Sequence, residues 1–211
     1  MKYILWDWNG TLLNDTWICC HALNMMLSSR GLPEIGLGYF RDNFAFPSRN
    51  FYGKLGMKIA DSEWNGIAAE YHRNYAQNAA TLADDAIAAL DAAKDAGFAQ
   101  AIISAHRQDL LEKECDALGV SSYMEFIYGT DNLYGGTKIE RGKALMRNIR
   151  KCHGDIDGVV LVGDSLHDLE VARAMEVECI LYSGGSHSRN RLAATGERVA
   201  DSLLEAVRSA K

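Results

Sequence analysis

The chain has 211 residues, of which 48% are hydrophobic and 24% are charged, a composition typical of one globular domain, with or without a smaller insertion. The net charge of −6 argues against a nucleic-acid partner, because proteins that bind nucleic acids carry basic patches. Every apolar run is shorter than the roughly 18 residues of a transmembrane helix, so we expect no membrane partner.

The first predicted element is a buried strand at residues 3–6, which ends at Asp7 and is followed by the turn signal Asn9-Gly10. Residues 15–81 hold few β-branched runs and show the i, i+3, i+4 spacing of apolar side chains, which predicts a small helical bundle. Helices are expected in this segment around residues 18–26, 37–43 and 50–55, and from residue 61 onward.

From residue 84 the pattern changes to alternating helices and strands. Strands are predicted at residues 99–103, 126–128, 158–162 and 178–182, and helices at 86–96, 108–118, 140–151 and 166–175. Such alternation predicts a parallel sheet covered by helices on both faces. The expected fold class is α/β, a Rossmann-like open parallel sheet with an all-helical insertion after the first strand.

Polar residues stand where the predicted strands end, at Asp7, Ser104, Asp164 and the loop 183–185. Ligands of open α/β sheets bind beyond the carboxyl ends of the strands, so the topology should bring these positions together. Asp168, four residues after Asp164, would add a third carboxylate. An oxygen-rich site of this kind suits Mg²⁺, which shares its coordination with a phosphate group.

The remaining polar groups of this edge are suited to an anion. Lys138, in the segment Gly135-Gly136-Thr137-Lys138, is the expected counter-cation of the carboxylates. Gly10 and Thr11 offer backbone N–H groups and a hydroxyl in a tight turn, and Ser104 offers another hydroxyl. A metal ion, a lysine and oriented donors form a phosphate clamp, beside which an aspartate can act as a nucleophile.

Ordered segments of the chain resemble the motifs of the haloacid dehalogenase (HAD) superfamily, in its phosphoglycolate-phosphatase-like branch. Asp7-Trp8-Asn9-Gly10-Thr11-Leu12-Leu13 resembles the motif D-x-D-G-T-L, and Ile102-Ile103-Ser104 resembles an apolar strand that ends in Ser or Thr. Lys138 resembles the third motif, and Gly163-Asp164-Ser165-Leu166-His167-Asp168 resembles the fourth, G-D-x-x-x-D. Tyr182-Ser183-Gly184-Gly185-Ser186-His187-Ser188 resembles a loop of this branch.

The resemblance implies a role for each matching position. Asp7 would be the nucleophile and a metal ligand, and the metal would be Mg²⁺. The other implied metal ligands are the backbone carbonyl of Asn9, Asp164 and Asp168. The implied phosphoryl-binding residues are Gly10, Thr11, Ser104, Ala105 and Lys138. Residues 15–81 would form a helical cap, and residues 1–14 and 82–211 the α/β core. The substrate would be a small phosphorylated metabolite.

Asn9 departs from the family pattern, which has a second aspartate there. That aspartate protonates the leaving group and activates water, and an amide does neither. The loss of a general acid–base group typically lowers the rate by 10²–10⁴-fold, so we expect Asn9→Asp to raise turnover by about tenfold or more. Three interpretations stay open: a slow phosphatase assisted by water or His106, a carbon–phosphorus hydrolase, and a weakened phosphate-binding or regulatory protein.

Candidate substrate contacts from the cap are Arg49 and Lys54, and His106 lies after the second motif. Arg49 stands beside the turn Phe46-Pro47, with a surface ion pair as the alternative interpretation. A carbon–phosphorus hydrolase would need a Schiff-base lysine from the cap, for which Lys54 and Lys58 are the candidates, although a solvated lysine is the simpler interpretation. Five cysteines without a C-x-x-C pair, and an N-terminus that reaches Asp7 too early for a signal peptide, predict a cytoplasmic protein with reduced thiols.

Overall fold

A computed structural model describes residues 1–130 and 138–210. Its strands are β1 Lys2–Trp6, β2 Leu13–Asn14, β3 Thr81–Leu82, β4 Phe98–Arg107, β5 Phe126–Thr130, β6 Gly158–Gly163, β7 Glu178–Tyr182 and β8 Arg198–Ala200. Its α-helices are α1 Thr16–Ser28, α2 Leu37–Asn43, α3 Ser48–Lys54, α4 Trp64–Tyr75, α5 Ala86–Asp95, α6 Gln108–Ala117, α7 Lys138–His153, α8 Leu166–Met175, α9 Arg189–Ala193 and α10 Leu203–Ser209. Short 3₁₀ helices cover Asp61–Glu63 and Ser121–Tyr123.

The described residues form a parallel sheet in the order β5-β4-β1-β6-β7-β8. Strand β1 lies in its middle, and Trp6 is in register with Ile102 of β4 and Val162 of β6. The short run Tyr3–Trp6 is fully buried because helices cover both faces of a parallel sheet. The α/β class predicted from the alternating pattern is therefore confirmed, and Asp7 emerges at the centre of the sheet edge.

Two apolar clusters fill the space between the sheet and its helices. One contains Ile4 and Trp6 with side chains of α5, α6 and α10. The other contains Tyr3 and Leu5 with side chains of α7, α8 and α9. Successive side chains of a strand point to opposite faces, so β1 contributes equally to both clusters. This double anchoring holds the C-terminal end of β1 rigidly where the polar residues collect.

Helices α1–α4 follow β1 and pack around an apolar cluster of their own, which includes Leu23, Phe40 and Phe51. The antiparallel ribbon of β2 and β3 pairs Leu13 with Leu82 where the chain enters and leaves this helical segment. A separate cluster and a two-stranded connection are the features that support a cap at residues 15–81 and a core at 1–14 and 82–211. That division stays a prediction.

Several elements differ from the sequence-based expectation. Strand β4 continues three residues past Ser104 to Arg107, because pairing with β5 resumes after an irregularity between Ile103 and Arg107. Strands β2, β3 and β8 and helix α9 were not predicted, since they are too short to show a clear period. Helix α10, which has seven residues, was not predicted either. Residues 135–137 of the predicted glycine loop lie outside the described residues. Over the residues described, none of the helices combines the length and apolar character needed to span a membrane.

Candidate active site

Three carboxylates meet where strands β1 and β6 end. Asp7 follows β1, and its backbone N–H donates to the carbonyl oxygen of Val162 at 2.9 Å. Asp164 follows β6, and Asp168 lies in the first turn of α8, where its Oδ2 accepts from Ser165 Oγ at 2.6 Å. One oxygen from each of the three carboxylates lies within 4.8 Å of the other two, and all three side chains are buried. The topology thus gathers residues from distant parts of the sequence.

Lys138 neutralises part of this negative charge. It opens helix α7, is 3% exposed, and its Nζ contacts both Asp7 and Asp168. Burial by itself would raise the pKa of Asp168, but Lys138 and Ser165 outweigh it and hold that pKa below its usual value. The same two carboxylates raise the pKa of Lys138 against the effect of burial, so the ammonium stays charged.

Asp164 has no cationic partner among the described residues that contact it. Burial, together with Asp168 and Asp7, raises its pKa well above the usual value. Burial and Asp168 also raise the pKa of Asp7, to about 6, against the opposing effect of Lys138. The negative charges of Asp164 and Asp7 are therefore poorly compensated by their surroundings.

Two glycines allow the close packing around Asp164. A methyl group on Gly185 would overlap the Asp164 carboxylate and the carbonyl oxygen of Gly10, and one on Gly10 would overlap the same carboxylate. Gly10 also has a φ of 76°, which glycine adopts at no steric cost. The backbone N–H of Ser186 donates to Asp164 Oδ2. This packing fixes one Asp164 oxygen.

The donor set fits a divalent cation with a preference for oxygen. Three carboxylates carry a formal charge of −3 against +1 on Lys138, which leaves an excess of −2 in a buried site. Burial of an uncompensated charge is unfavourable, whereas a metal ion would neutralise it. Magnesium sites typically have carboxylate oxygen ligands and leave room for water or phosphate oxygens, whereas zinc sites favour nitrogen and sulfur ligands. Asp7, Asp164 and Asp168 are the side chains that would hold it.

The predicted phosphoryl-binding residues lie around Asp7. Thr11 is buried and its Oγ1 donates to Asp7 Oδ2 at 3.2 Å. Ser104 is buried at the edge of a cavity that Asp7 also lines, and its Oγ accepts a hydrogen bond from the backbone N–H of His106 at 3.0 Å. Ala105 also lines the cavity and is exposed. Thr11 thus contacts the Asp7 carboxylate directly, and Ser104 and Ala105 line the same cavity as Asp7.

Asn9 is held by a residue that sequence reasoning missed, Asp15. The Asp15 carboxylate is 1% exposed and accepts hydrogen bonds from Asn9 Nδ2 at 2.8 Å, Gly10 N at 2.7 Å and Tyr75 Oη at 2.8 Å, with the Cys19 thiol as a longer fourth donor at 3.8 Å. Burial raises its pKa, and these donors oppose the rise. Asp15 precedes α1 and so resembles an ordinary helix cap in the sequence, but its side chain makes no capping bond. No local signal points to its contact with Tyr75, 60 residues away.

A cavity of about 790 Å³ lies between the carboxylates and helices α1–α4. Asp7, Asn9, Ser104 and Lys138 form part of its core side. Aromatic side chains dominate the opposite side, which we call the aromatic wall. The aromatic wall comprises Phe40, Phe44, Phe46, Tyr52, Trp64, Tyr71 and Tyr75.

The predicted substrate contacts occupy different places around this cavity. Arg49 lines it, but its guanidinium pairs with Asp61 at 2.5 Å and donates to the carbonyl oxygen of Ile59 at 2.8 Å. His106 lines it with Nε2 at 3.3 Å from Glu114 Oε1. Lys54 is exposed and is not among the described residues that line the cavity. The structure thus brings Arg49 and His106, but not Lys54, to the candidate site.

The chain is similar to known proteins in both sequence and fold. The chain is 25% identical over 177 residues to a phosphoglycolate phosphatase of Aquifex aeolicus, a match that covers 82% of this chain and 80% of that protein. It is 26% identical to a phosphoglycolate phosphatase of Thiobacillus denitrificans, over 98% of this chain and 94% of that protein. A haloacid dehalogenase-like hydrolase structure from Streptococcus pneumoniae shares the fold with a TM-score of 0.78 at 16% identity, covering 100% of this chain and 99% of that one. The family model for haloacid dehalogenase-like hydrolases matches residues 4–182, so the chain belongs to this family, in its phosphoglycolate-phosphatase-like branch.

Proposed function

We propose that the protein is a Mg²⁺-dependent phosphatase that hydrolyses a small phosphate ester through an aspartyl-phosphate at Asp7. The observation that carries the proposal is the Asp7 carboxylate, which Thr11 and Lys138 orient at the floor of a cavity beside two further carboxylates. The phosphoglycolate phosphatases named among its relatives support the same class of reaction.

The residues of this chain divide the reaction into two steps. In the first, an oxygen of Asp7 attacks phosphorus, the bond from phosphorus to the ester oxygen breaks, and the alcohol leaves with a proton from solvent. In the second, water attacks the same phosphorus, the bond to Asp7 breaks, and phosphate leaves as the carboxylate is restored. Lys138 and the hydroxyl of Ser104 would stabilise charge on the phosphoryl oxygens throughout. Bound Mg²⁺ would neutralise negative charge on the phosphate and on the carboxylates.

Asn9 makes the predicted enzyme slower than one with an acid–base group at this position. Its amide neither donates a proton to the leaving alcohol nor takes one from water. His106 lines the cavity and is the candidate to assist in place of the missing aspartate, but its Nε2 faces Glu114. A carbon–phosphorus hydrolase gains no support, because neither Lys54 nor Lys58 is among the described residues that line the cavity. A phosphate-binding protein without turnover remains the competing function.

Phosphate release from a panel of small monoesters with Mg²⁺ tests the proposal. We expect release above background that Asp7→Asn abolishes and that Asp95→Asn, an exposed aspartate at the end of α5, leaves unchanged. Thermal unfolding of both variants would show that they fold. Release that survives in Asp7→Asn contradicts the covalent mechanism. Stabilisation by inorganic phosphate without release from any ester supports the binding protein instead.

A further inference from the structure

We propose that the leaving group of the substrate is an uncharged, flat apolar or aromatic alcohol rather than a carboxylate-bearing one such as glycolate. This inference deepens the proposed function, on which it rests. The cavity above Asp7 holds about 790 Å³, much more than a phosphoryl group fills, and the aromatic wall stands opposite. When an apolar group binds there, both its own surface and the aromatic wall lose contact with water, which is favourable in proportion to the area buried.

Charge on the described cavity walls points the same way. Lys138 contacts Asp7 and Asp168, and the Arg49 guanidinium is bound to Asp61 and to a backbone carbonyl. Residues 131–137 contain no lysine or arginine. Three histidines also line the cavity: His106 lies against Glu114, His167 lies against Glu170, and burial lowers the pKa of His72, which favours its neutral ring. A carboxylate on the leaving group would therefore have to displace an existing ion pair or lie against neutral rings, which is unfavourable in a desolvated site.

Phe46 is the most exposed residue of the aromatic wall. Its side chain is 55% exposed although it lines the cavity, and its ring centroid lies 5.1 Å from that of Phe44 and 5.3 Å from that of His167. An exposed phenyl ring that lines the same cavity as Asp7 is an apolar contact surface that a bound ring would cover. Phe46 thus ranks as the residue most directly concerned with the specificity for the leaving group.

Binding of two matched phosphonates, which resist hydrolysis, tests the inference separately from catalysis. 2-Phenylethylphosphonate and 3-phosphonopropionate differ only in a phenyl ring against a carboxylate. Calorimetric titration with Mg²⁺ should show the phenyl compound binding at least about tenfold more tightly, and Phe46→Ala should reduce that ratio while leaving propylphosphonate unaffected. Equal or tighter binding of 3-phosphonopropionate, or no binding of either compound, overturns the inference. Preferential binding of the phenyl compound without turnover of any ester refutes the proposed function alone.

A different observation, the contact between Asn9 and Asp15, carries a second inference. A carboxylate only accepts hydrogen bonds, so Asn9 must turn its NH₂ toward Asp15, and its amide oxygen then faces away. No donor among the described residues contacts that oxygen, and Asn9 lines the cavity. The bonds from Tyr75 and Gly10 hold the Asp15 carboxylate in place.

We infer that Asp15 is a positioning residue: it fixes the Asn9 amide so that its oxygen accepts a hydrogen bond from the water that attacks the aspartyl-phosphate. This inference also rests on the proposed function. The water forms the new bond to phosphorus, the bond to Asp7 breaks with its electron pair on the carboxylate, and one water proton passes to a phosphate oxygen. An amide that orients water without taking its proton is a known arrangement in phosphoryl transfer.

Rapid-quench kinetics separate this role from a structural one. Asp15→Asn offers a donor where Asn9 needs an acceptor, so the amide loses its fixed orientation. We expect aspartyl-phosphate to accumulate because its hydrolysis slows by about tenfold or more, while its formation is unchanged. Tyr75→Phe, which removes one donor to Asp15, should show a smaller slowing of the same step. The rate effects of Asn9→Ala and Asp15→Asn should not multiply in the double variant, because each substitution removes the same interaction.

Other outcomes overturn the inference. Equal slowing of both steps in Asp15→Asn and Tyr75→Phe, or fully multiplicative effects of the Asn9 and Asp15 variants, would show that Asp15 supports only the fold. Wild-type hydrolysis that does not depend on Asp7 would refute the proposed function. Asp7-dependent hydrolysis with unchanged kinetics in Asp15→Asn would refute only the positioning role.

Discussion

Asn9→Asp is expected to destabilise the protein at neutral pH, because it places a second carboxylate against Asp15. Asn9 Nδ2 lies 2.8 Å from Asp15 Oδ2. Two charges at that distance repel by about 6 kcal/mol at an effective dielectric constant of 20. Protonating one carboxyl at pH 7 costs about 4 kcal/mol, since its ordinary pKa lies about three units lower. Protonation is the cheaper outcome, so the pair should take up one proton and lose about 4 kcal/mol at most.

This mechanism fixes the pH dependence of the loss. The shared proton raises the pKa of one carboxyl above its value in the unfolded chain. The variant therefore regains stability as the pH falls, and it is least stable at high pH. Relative to wild type, Asn9→Asp should recover about 1.4 kcal/mol per pH unit between pH 7 and 5. Urea unfolding at pH 7, 6 and 5 without Mg²⁺ measures this difference.

The double variant Asn9→Asp with Asp15→Asn is the matched control, because it exchanges the two side chains and keeps one carboxylate. We expect its free energy of unfolding to lie within about 1 kcal/mol of wild type at every pH, since a charged–neutral hydrogen bond is restored. The gain in turnover predicted for Asn9→Asp should be larger in this double variant, because the carboxylate at residue 9 no longer shares a proton with Asp15. The contact between residues 9 and 15 would be refuted if Asn9→Asp were as stable as wild type at pH 7 and its stability changed with pH in parallel with that of wild type.

Three further predictions concern the metal site and the core. Asp164→Ala should abolish the stabilisation of the fold by Mg²⁺ in thermal unfolding, because it removes a ligand and its charge; an undiminished Mg²⁺ shift would exclude Asp164 as a ligand. Gly185→Ala should destabilise by about 1–3 kcal/mol through overlap with Gly10 and Asp164, whereas Gly38→Ala, with open space around it, should not; equal unfolding free energies would contradict the close packing. Burial and Arg191 lower the pKa of His187 to about 4, so wild type should lose about 2 kcal/mol of stability as the pH falls from 7 to 5 through this group, and His187→Asn should lack that loss in urea unfolding at both pH values.

The predictable part of the fold is the part with a strong local pattern. The run at β6, residues 158–162 in the prediction, is an almost uninterrupted apolar stretch because both faces of a parallel strand are buried. Strand β8 has three residues and begins with an exposed arginine, so it shows neither an apolar run nor an alternation of apolar and polar residues. Strand β4 passes Ser104 because its partner β5 continues to pair, which a single strand's sequence does not reveal.

The site was predictable where chemistry follows the ends of strands. Asp7 and Asp164 could be placed together because parallel strands share one carboxyl edge. Asp15 could not, because its position before α1 is that of a common helix cap and its partner Tyr75 arrives from the far end of α4. The ion pair of Arg49 with Asp61 likewise depends on how α3 packs against the following turn, which local sequence does not specify.

The central claim is that Asp7 carries the phosphoryl group, and borohydride trapping tests it most directly. Borohydride reduces an acyl phosphate on an aspartate to the alcohol, which converts the residue to homoserine. Protein quenched during turnover of an ester with Mg²⁺ should show homoserine at residue 7 by peptide mass spectrometry, and protein quenched without substrate should not. Substrate hydrolysis with an unmodified Asp7, or with the reduced residue at Asp15, Asp164 or Asp168, would contradict the account.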